Sequence, residues 1–294
     1  MTLSGIRTHA PRTLSEAIKL LRDLKDARVM AGGTDLIVDI KQGLVKARDI
    51  ISLQDIEELK GIKKERKEVC IGASVTPQDL QSSSFIKEHF PALAEAARSL
   101  ASPQVRALAT IGGNITSAVP SADLPPTLIA ADASVELRCS RSSRKIPLSE
   151  FFTGPRKTVC RAGELLTSIF LPLPPPNTGI SYMKFTLREA NALAVASVAS
   201  RLTLKNGKIE KAAVVLGAVA PTPVLALKAS EFLQAKNPSP EVFEEAAAIA
   251  KEEGKPISDI RGSAWYRKEL IQVLTRRSLS EAFERARRKS KKKK

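Results

Sequence analysis

The chain has 294 residues, 43% of them apolar and only 4% aromatic, so about two domains with cores of aliphatic and alanine side chains are expected. No apolar run reaches the roughly 18 residues of a membrane-spanning helix, and the first residues lack the basic-then-apolar pattern of a secretory signal, which points to the cytoplasm. The net charge of +16 invites a nucleic-acid reading, but half of the surplus lies in the eight cations between Arg285 and Lys294, and aromatics for base stacking are few.

From the N-terminus, Thr13 and Glu16 have capping-box spacing, and Leu14, Ala17, Ile18, Leu21 and Leu24 recur on one face, predicting a helix over 13–26. A short apolar strand over 28–31 runs into Gly32-Gly33. Thr34 or Asp35 then caps a second helix with Leu36, Ile37, Ile40 and Leu44 on one side. Strands are expected at 49–53 and 68–71, and helices after Thr76-Pro77 and over 91–100. A second glycine pair, Gly112-Gly113, precedes a Pro-rich stretch over 119–126 and a short helix over 128–131. An alternating strand over 134–139 and a basic turn over 140–144 follow.

The run Leu173-Pro174-Pro175-Pro176-Asn177-Thr178-Gly179 resists both helix and strand and marks a domain boundary. Beyond it, alternation over 182–187 and 196–204 leads to Asn206-Gly207, a two-residue hairpin signal, and a partner strand over 209–219. Helices over 240–253 and 264–276 complete the pattern. The like charges of 285–294 are expected to form a disordered basic tail. The fold class is therefore α+β, with a first domain over 1–175, divided near residue 55 into 1–55 and 56–175, and a second over 180–284.

Two segments could carry chemistry. In Val29-Met30-Ala31-Gly32-Gly33-Thr34-Asp35-Leu36 and in Thr110-Ile111-Gly112-Gly113-Asn114, paired glycines follow a β-like apolar stretch. Glycine permits positive φ and leaves no Cβ in a ligand's way, so successive N–H groups can converge on an anion such as a pyrophosphate. After the first pair, the helix adds its positive N-terminal end. Ordinary tight turns fit the same residues. Neither GxGxxG nor GxxxxGK[ST] occurs, so a Rossmann or P-loop site lacks its signature. Asp123 can accept from a ribose or ribityl hydroxyl, or cap the helix that follows it. Arg156 and Lys157 follow a Gly-Pro turn, where a phosphate role and plain solvation are equally open. His9 and His89 are far apart in sequence, and Cys70, Cys139 and Cys160 form no CxxC pair, so no metal site is expected.

Taken in order, several segments resemble the FAD-binding medium subunit of the xanthine dehydrogenase and molybdenum-type carbon monoxide dehydrogenase family. They are Ala31–Leu36, Thr110–Ile115, Asp123–Pro126, Ala130–Ala133, Phe151–Thr158, Lys184-Phe185 with Arg188, Asn191–Ala196, Arg261–Arg267 and Arg276-Arg277. The resemblance spans nearly the whole chain to residue 284. It implies a two-part FAD domain of the vanillyl-alcohol-oxidase-like (PCMH) type followed by a smaller α+β domain. It implies FAD contacts from Val29, Met30, Ala31, Gly32, Gly33, Thr34, Asp35 and Leu36, and from Thr110, Ile111, Gly112, Gly113 and Asn114. Further contacts are implied for Ser117, Asp123, Leu166 and Lys184, with no catalytic side chain. It also implies a heterotrimer, in which a large subunit carries molybdopterin and hydroxylates the substrate. A small subunit carries 2Fe–2S clusters, and NAD or another acceptor takes the electrons. The cysteine-rich insertion of some family members is absent. A stand-alone flavin-dependent oxidoreductase is the competing reading.

Overall fold

Three short parallel strands, Arg7–His9, Asp49–Ser52 and Arg28–Met30, form the first sheet, with Asp49–Ser52 in the middle. They belong to a computed structural model that describes residues 5–189 and 191–291. The helix Leu14–Asp23 covers this sheet, with Leu14, Ala17 and Ile18 buried and the expected Thr13–Glu16 capping box in place. Each cap of this kind stabilises a helix by about 1 kcal/mol.

A second, antiparallel sheet has the order Ile62–Lys64, Glu68–Gly72, Leu165–Pro172, Ser134–Arg138 and Ser143–Pro147. Its central strand, Leu165–Pro172, is absent from the sequence reading. Leu165, Leu166, Thr167, Ile169 and Leu171 are all buried there, so the segment shows no alternation by which a strand is recognised. Leu80, Ile86, Phe90, Leu93, Ile111, Ile115, Leu124 and Leu128, from helices between residues 77 and 130, close over this sheet in one core. The helix expected over 128–131 instead spans Leu124–Ala130. Pro125 and Pro126 sit in its first turn, where no intrahelical N–H is needed.

After the proline run the chain leaves this sheet and enters a third. Its antiparallel strands are Thr178–Phe185, Ala196–Lys205, Lys208–Gly217 and Val224–Leu225. The Asn206-Gly207 turn joins two of them, both residues having positive φ as expected. Ile180, Tyr182, Ala199 and Val215 nevertheless belong to the core of the middle sheet, so the two parts share apolar packing.

The last helix runs Ala264–Lys291, well past the expected end near 276. Leu279, Ala282 and Ala286 continue its buried face. Gly179 lies beneath it with no room for a Cβ, which would overlap the Ala282 carbonyl oxygen. The Ser181 hydroxyl donates to the Ser278 carbonyl at 2.6 Å. Arg285 donates to Glu95 at 2.8 and 3.0 Å and to the Ile180 carbonyl at 3.0 Å. The expected disordered tail is thus corrected. Through Lys291 the basic segment is helix, because small residues seat it and Arg285 ties it to Glu95 and the Ile180 carbonyl, while Lys292–Lys294 lie outside the described residues. Deleting 285–294 should accordingly destabilise the chain. Loss of the charged Arg285 hydrogen bonds alone is worth about 1.5–3 kcal/mol, readable by denaturant titration.

Candidate functional site

The first sheet, the middle helices and the loop after the first strand of the third sheet leave a cleft of about 510 Å³ between them. The first glycine segment forms one wall, because the strand Arg28–Met30 ends there and the chain must turn into the helix Leu36–Lys41. Gly33 makes that turn at φ +71°, which an L side chain adopts only with strain. Gly32 touches the facing backbone, and a Cβ on it would overlap the Leu108 carbonyl. Among the described residues, no acceptor is placed for the backbone N–H groups of Gly33, Thr34 and Asp35. The helix itself is only six residues long, so these loop amides, rather than a helix dipole, are what the wall offers an anion.

The second glycine segment behaves differently from its reading as a turn. It lies within the helix Ile111–Thr116, capped by Thr110, and follows the helix Pro103–Leu108 rather than a strand. Gly113 has no positive φ. Its amides are already spent: Ile111 donates to Val75, Gly112 to Ala73 and Asn114 to the Thr110 carbonyl, at 2.8–2.9 Å, and Gly113 donates to the Thr110 hydroxyl at 3.0 Å. This wall therefore offers side chains and carbonyls, not an anion cradle. Thr110, Gly113, Asn114 and Ser117 face the cleft, while Ile111 and Gly112 are buried below it.

Asp123 lies at the inner end, on the cleft surface but largely buried. It does not cap the helix behind it. Its carboxylate accepts from the Tyr182 hydroxyl at 2.9 Å and from the Lys184 ammonium at 2.9–3.0 Å. Burial pushes the Asp123 carboxyl up, and Lys184 followed by Tyr182 oppose that shift. Burial, with the neighbouring Asp123, pushes the Tyr182 phenol well up, so it remains a donor. Lys184 thus serves the site through Asp123 and does not line the cleft. Leu166 does not line it either; it is 6% exposed, in the core of the middle sheet, paired with Leu137.

The structure brings to this cleft all of Val29–Leu36, with Thr110, Gly113, Asn114, Ser117 and Asp123. It adds residues the sequence reading did not single out. Leu100, Ala101, Val105 and Ala109 provide an apolar surface, Ser121 a hydroxyl, and Asp39 a carboxylate. Asp39 stands four residues after Asp35, so one helical turn puts both on one side. Arg156 bonds to Asp39, and the loop carrying Arg188, Asn191, Ala192 and Leu193 borders the opening. Gly113→Val should now cost cofactor affinity through bulk in the cleft rather than through φ. The added Cβ would press on the Thr110 hydroxyl, at 2.9 Å, and disturb its cap on the Gly113 N–H, a local cost of about 1 kcal/mol that thermal melting should show as a lowered Tm in a folded protein. Retention of full flavin affinity in a folded variant would remove this helix from the site.

No helix among the described residues is long and apolar enough to cross a membrane, and no cluster of potential metal ligands is found among them. Residues 4–174 match the family described as the FAD binding domain in molybdopterin dehydrogenase, and 181–282 match the CO dehydrogenase flavoprotein C-terminal domain. The carbon monoxide dehydrogenase medium chain of Afipia carboxidovorans is 35% identical over 95% of this chain and 96% of its own. The xanthine dehydrogenase FAD-binding subunit of Escherichia coli is 33% identical over 93% and 94%. Among solved structures, a chain of carbon monoxide dehydrogenase from Hydrogenophaga pseudoflava superposes with a TM-score of 0.94, at 33% identity, covering 97% of this chain and 99% of that one. A free-amide loop, a glycine-lined wall and a buried hydroxyl-binding carboxylate fit a flavin dinucleotide, and with these likenesses the chain belongs to the FAD-binding oxidoreductase subunits of the molybdopterin dehydrogenase family.

Proposed function

We propose that the cleft binds FAD through the residues gathered on its walls, and that the chain is the electron-relay subunit of a molybdenum hydroxylase. The observation that carries this reading is the stretch Gly33–Asp35, which lines the cleft and whose backbone N–H groups have no acceptor among the described residues. These amides would hold the pyrophosphate, Asp123 would accept from a ribityl or ribose hydroxyl, and the apolar surface around Leu100 and Val105 would take a ring. Bound FAD supplies exchange of one or two electrons, a property of the cofactor. The chain's own part is to bind, orient and shield. In this reading it receives electrons from a separate iron–sulfur subunit, serves a molybdopterin subunit that hydroxylates the substrate, and delivers to NAD or another acceptor. Residues 1–175 form the cofactor-binding part, and three free cysteines suit a cytoplasmic, reducing setting.

The test is reconstitution of the purified chain with FAD. Flavin absorbance should co-elute on gel filtration, and the FAD-loaded chain alone should show no hydroxylase activity. Absence of bound flavin would overturn the cleft assignment. Turnover of a purine or aldehyde by the lone chain would favour a stand-alone flavoenzyme.

A further inference from the structure

The cleft proposed for a dianionic pyrophosphate is itself lined by carboxylates. Asp35, Asp39 and Asp123 line it, against Arg156 and Arg188. Asp123 is matched by Lys184 beneath it, and Asp35 is exposed to solvent. Asp39 is the exception, a carboxylate only 8% exposed on the wall beside the free amides. Its one described side-chain partner is Arg156, whose guanidinium donates at 2.6 and 3.4 Å.

Arg156 arrives there at a cost. Its backbone sits at φ +56°, a conformation that glycine adopts more easily than any L residue, and its N–H is anchored to the Ala118 carbonyl at 2.9 Å. A turn needing only flexibility would be better served by glycine. Strain of this sort is retained where the side chain does something the backbone alone cannot. What the side chain does here is neutralise Asp39 across 117 residues of sequence.

We propose that the Asp39–Arg156 pair is an electrostatic mask for the cofactor's pyrophosphate: Arg156 cancels the buried carboxylate of that wall, whose charge water screens least and which would otherwise repel the dianion. The inference rests on the FAD reading of the cleft. It makes signed predictions that a merely structural bridge does not. Arg156→Ala exposes the Asp39 charge and should weaken FAD binding on the order of 10–100-fold. Asp39→Asn breaks the same bridge but frees the guanidinium, and should tighten FAD binding by roughly 3-fold or more. The double variant should return to near the wild-type Kd. Added salt should partly restore Arg156→Ala, because it screens a repulsion.

The experiment is FAD titration of the full-length chain and the three variants at low and high salt, with thermal melts to establish folding. If Arg156→Ala does not fold, Arg156→Gln takes its place, and Asp39→Asn is informative alone. A wild-type chain that binds no FAD overturns the cleft reading. A wild-type chain that binds FAD while Asp39→Asn weakens it overturns the mask and leaves a structural bridge. So does an Arg156→Ala defect that Asp39→Asn fails to rescue, or an unchanged affinity in Arg156→Ala.

Discussion

Replacing Gly32 with alanine should abolish stable FAD binding, and the effect should exceed that of the same change at Gly33. At Gly32 the new Cβ would overlap the Leu108 carbonyl, and a backbone neighbour cannot rotate away. The wall must move outward from the helix Pro103–Leu108, carrying the Gly33–Asp35 amides with it. An overpacked contact of this kind costs about 1–3 kcal/mol in stability, but a 1 Å displacement of the binding amides costs about 100-fold or more in function. Gly33→Ala meets side-chain atoms only at 3.2 Å and carries chiefly the φ +71° strain, about 1–2 kcal/mol. Calorimetric titration with FAD of both variants decides the order. If Gly32→Ala binds as tightly as the native chain, the close approach is irrelevant to the site.

That asymmetry also shows what was legible in the residues. Both glycine pairs stand out in the sequence, yet only the first keeps free amides. The second spends its amides on Ala73, Val75 and Thr110, partners that a local pattern does not specify. Asp123 is visible as a polar residue among prolines, but its ties to Tyr182 and Lys184 join residues 59 and 61 positions away. Elements with strong local signals, such as the helix Pro240–Glu253 and the Asn206-Gly207 hairpin, match the expectation closely. The central strand Leu165–Pro172 and the second half of the last helix escaped for opposite reasons. The first is buried on both faces over Leu165–Thr167 and so shows little alternation, and the second hides the helical spacing of Leu279, Ala282, Phe283 and Ala286 among a run of cations read as a separate tail.

Asp259→Ala should be among the most destabilising substitutions outside the cleft. Arg267 is 1% exposed, and its guanidinium is held by Asp259 and by the Ala218 carbonyl at 3.2 Å. Removing the carboxylate strands a buried cation, which costs about 3–5 kcal/mol. Arg267→Met added to Asp259→Ala should recover much of the loss, because no charge is then left unpaired. The pH dependence has a definite sign. Hydrogen bonds from Arg261 first, then Arg267, hold the Asp259 carboxyl far below the ordinary carboxylate range, against the effect of burial. Its stabilisation is therefore complete above the unfolded value of about 3.9 and is lost as pH falls further, through the folded value. The difference between native and Asp259→Asn in denaturant midpoint should be full at pH 7 and shrink below about pH 4. A difference that is flat down to pH 2 would show that the pair contributes little.

The long closing helix has a consequence in time. Glu95 waits for Arg285, a partner 190 positions later, and Gly179 waits for Ala282. At synthesis rates of about 5–20 residues per second, the face of the third sheet around Gly179 stays uncovered for roughly 5–20 s on the ribosome. Folding of the earlier part can start before then but cannot be sealed, since the strand Thr178–Phe185 has nothing to cover it. The slow partner is thus the chain's own last helix, and nascent chains stalled or cut before Ala264 present an open apolar face to chaperones and to each other.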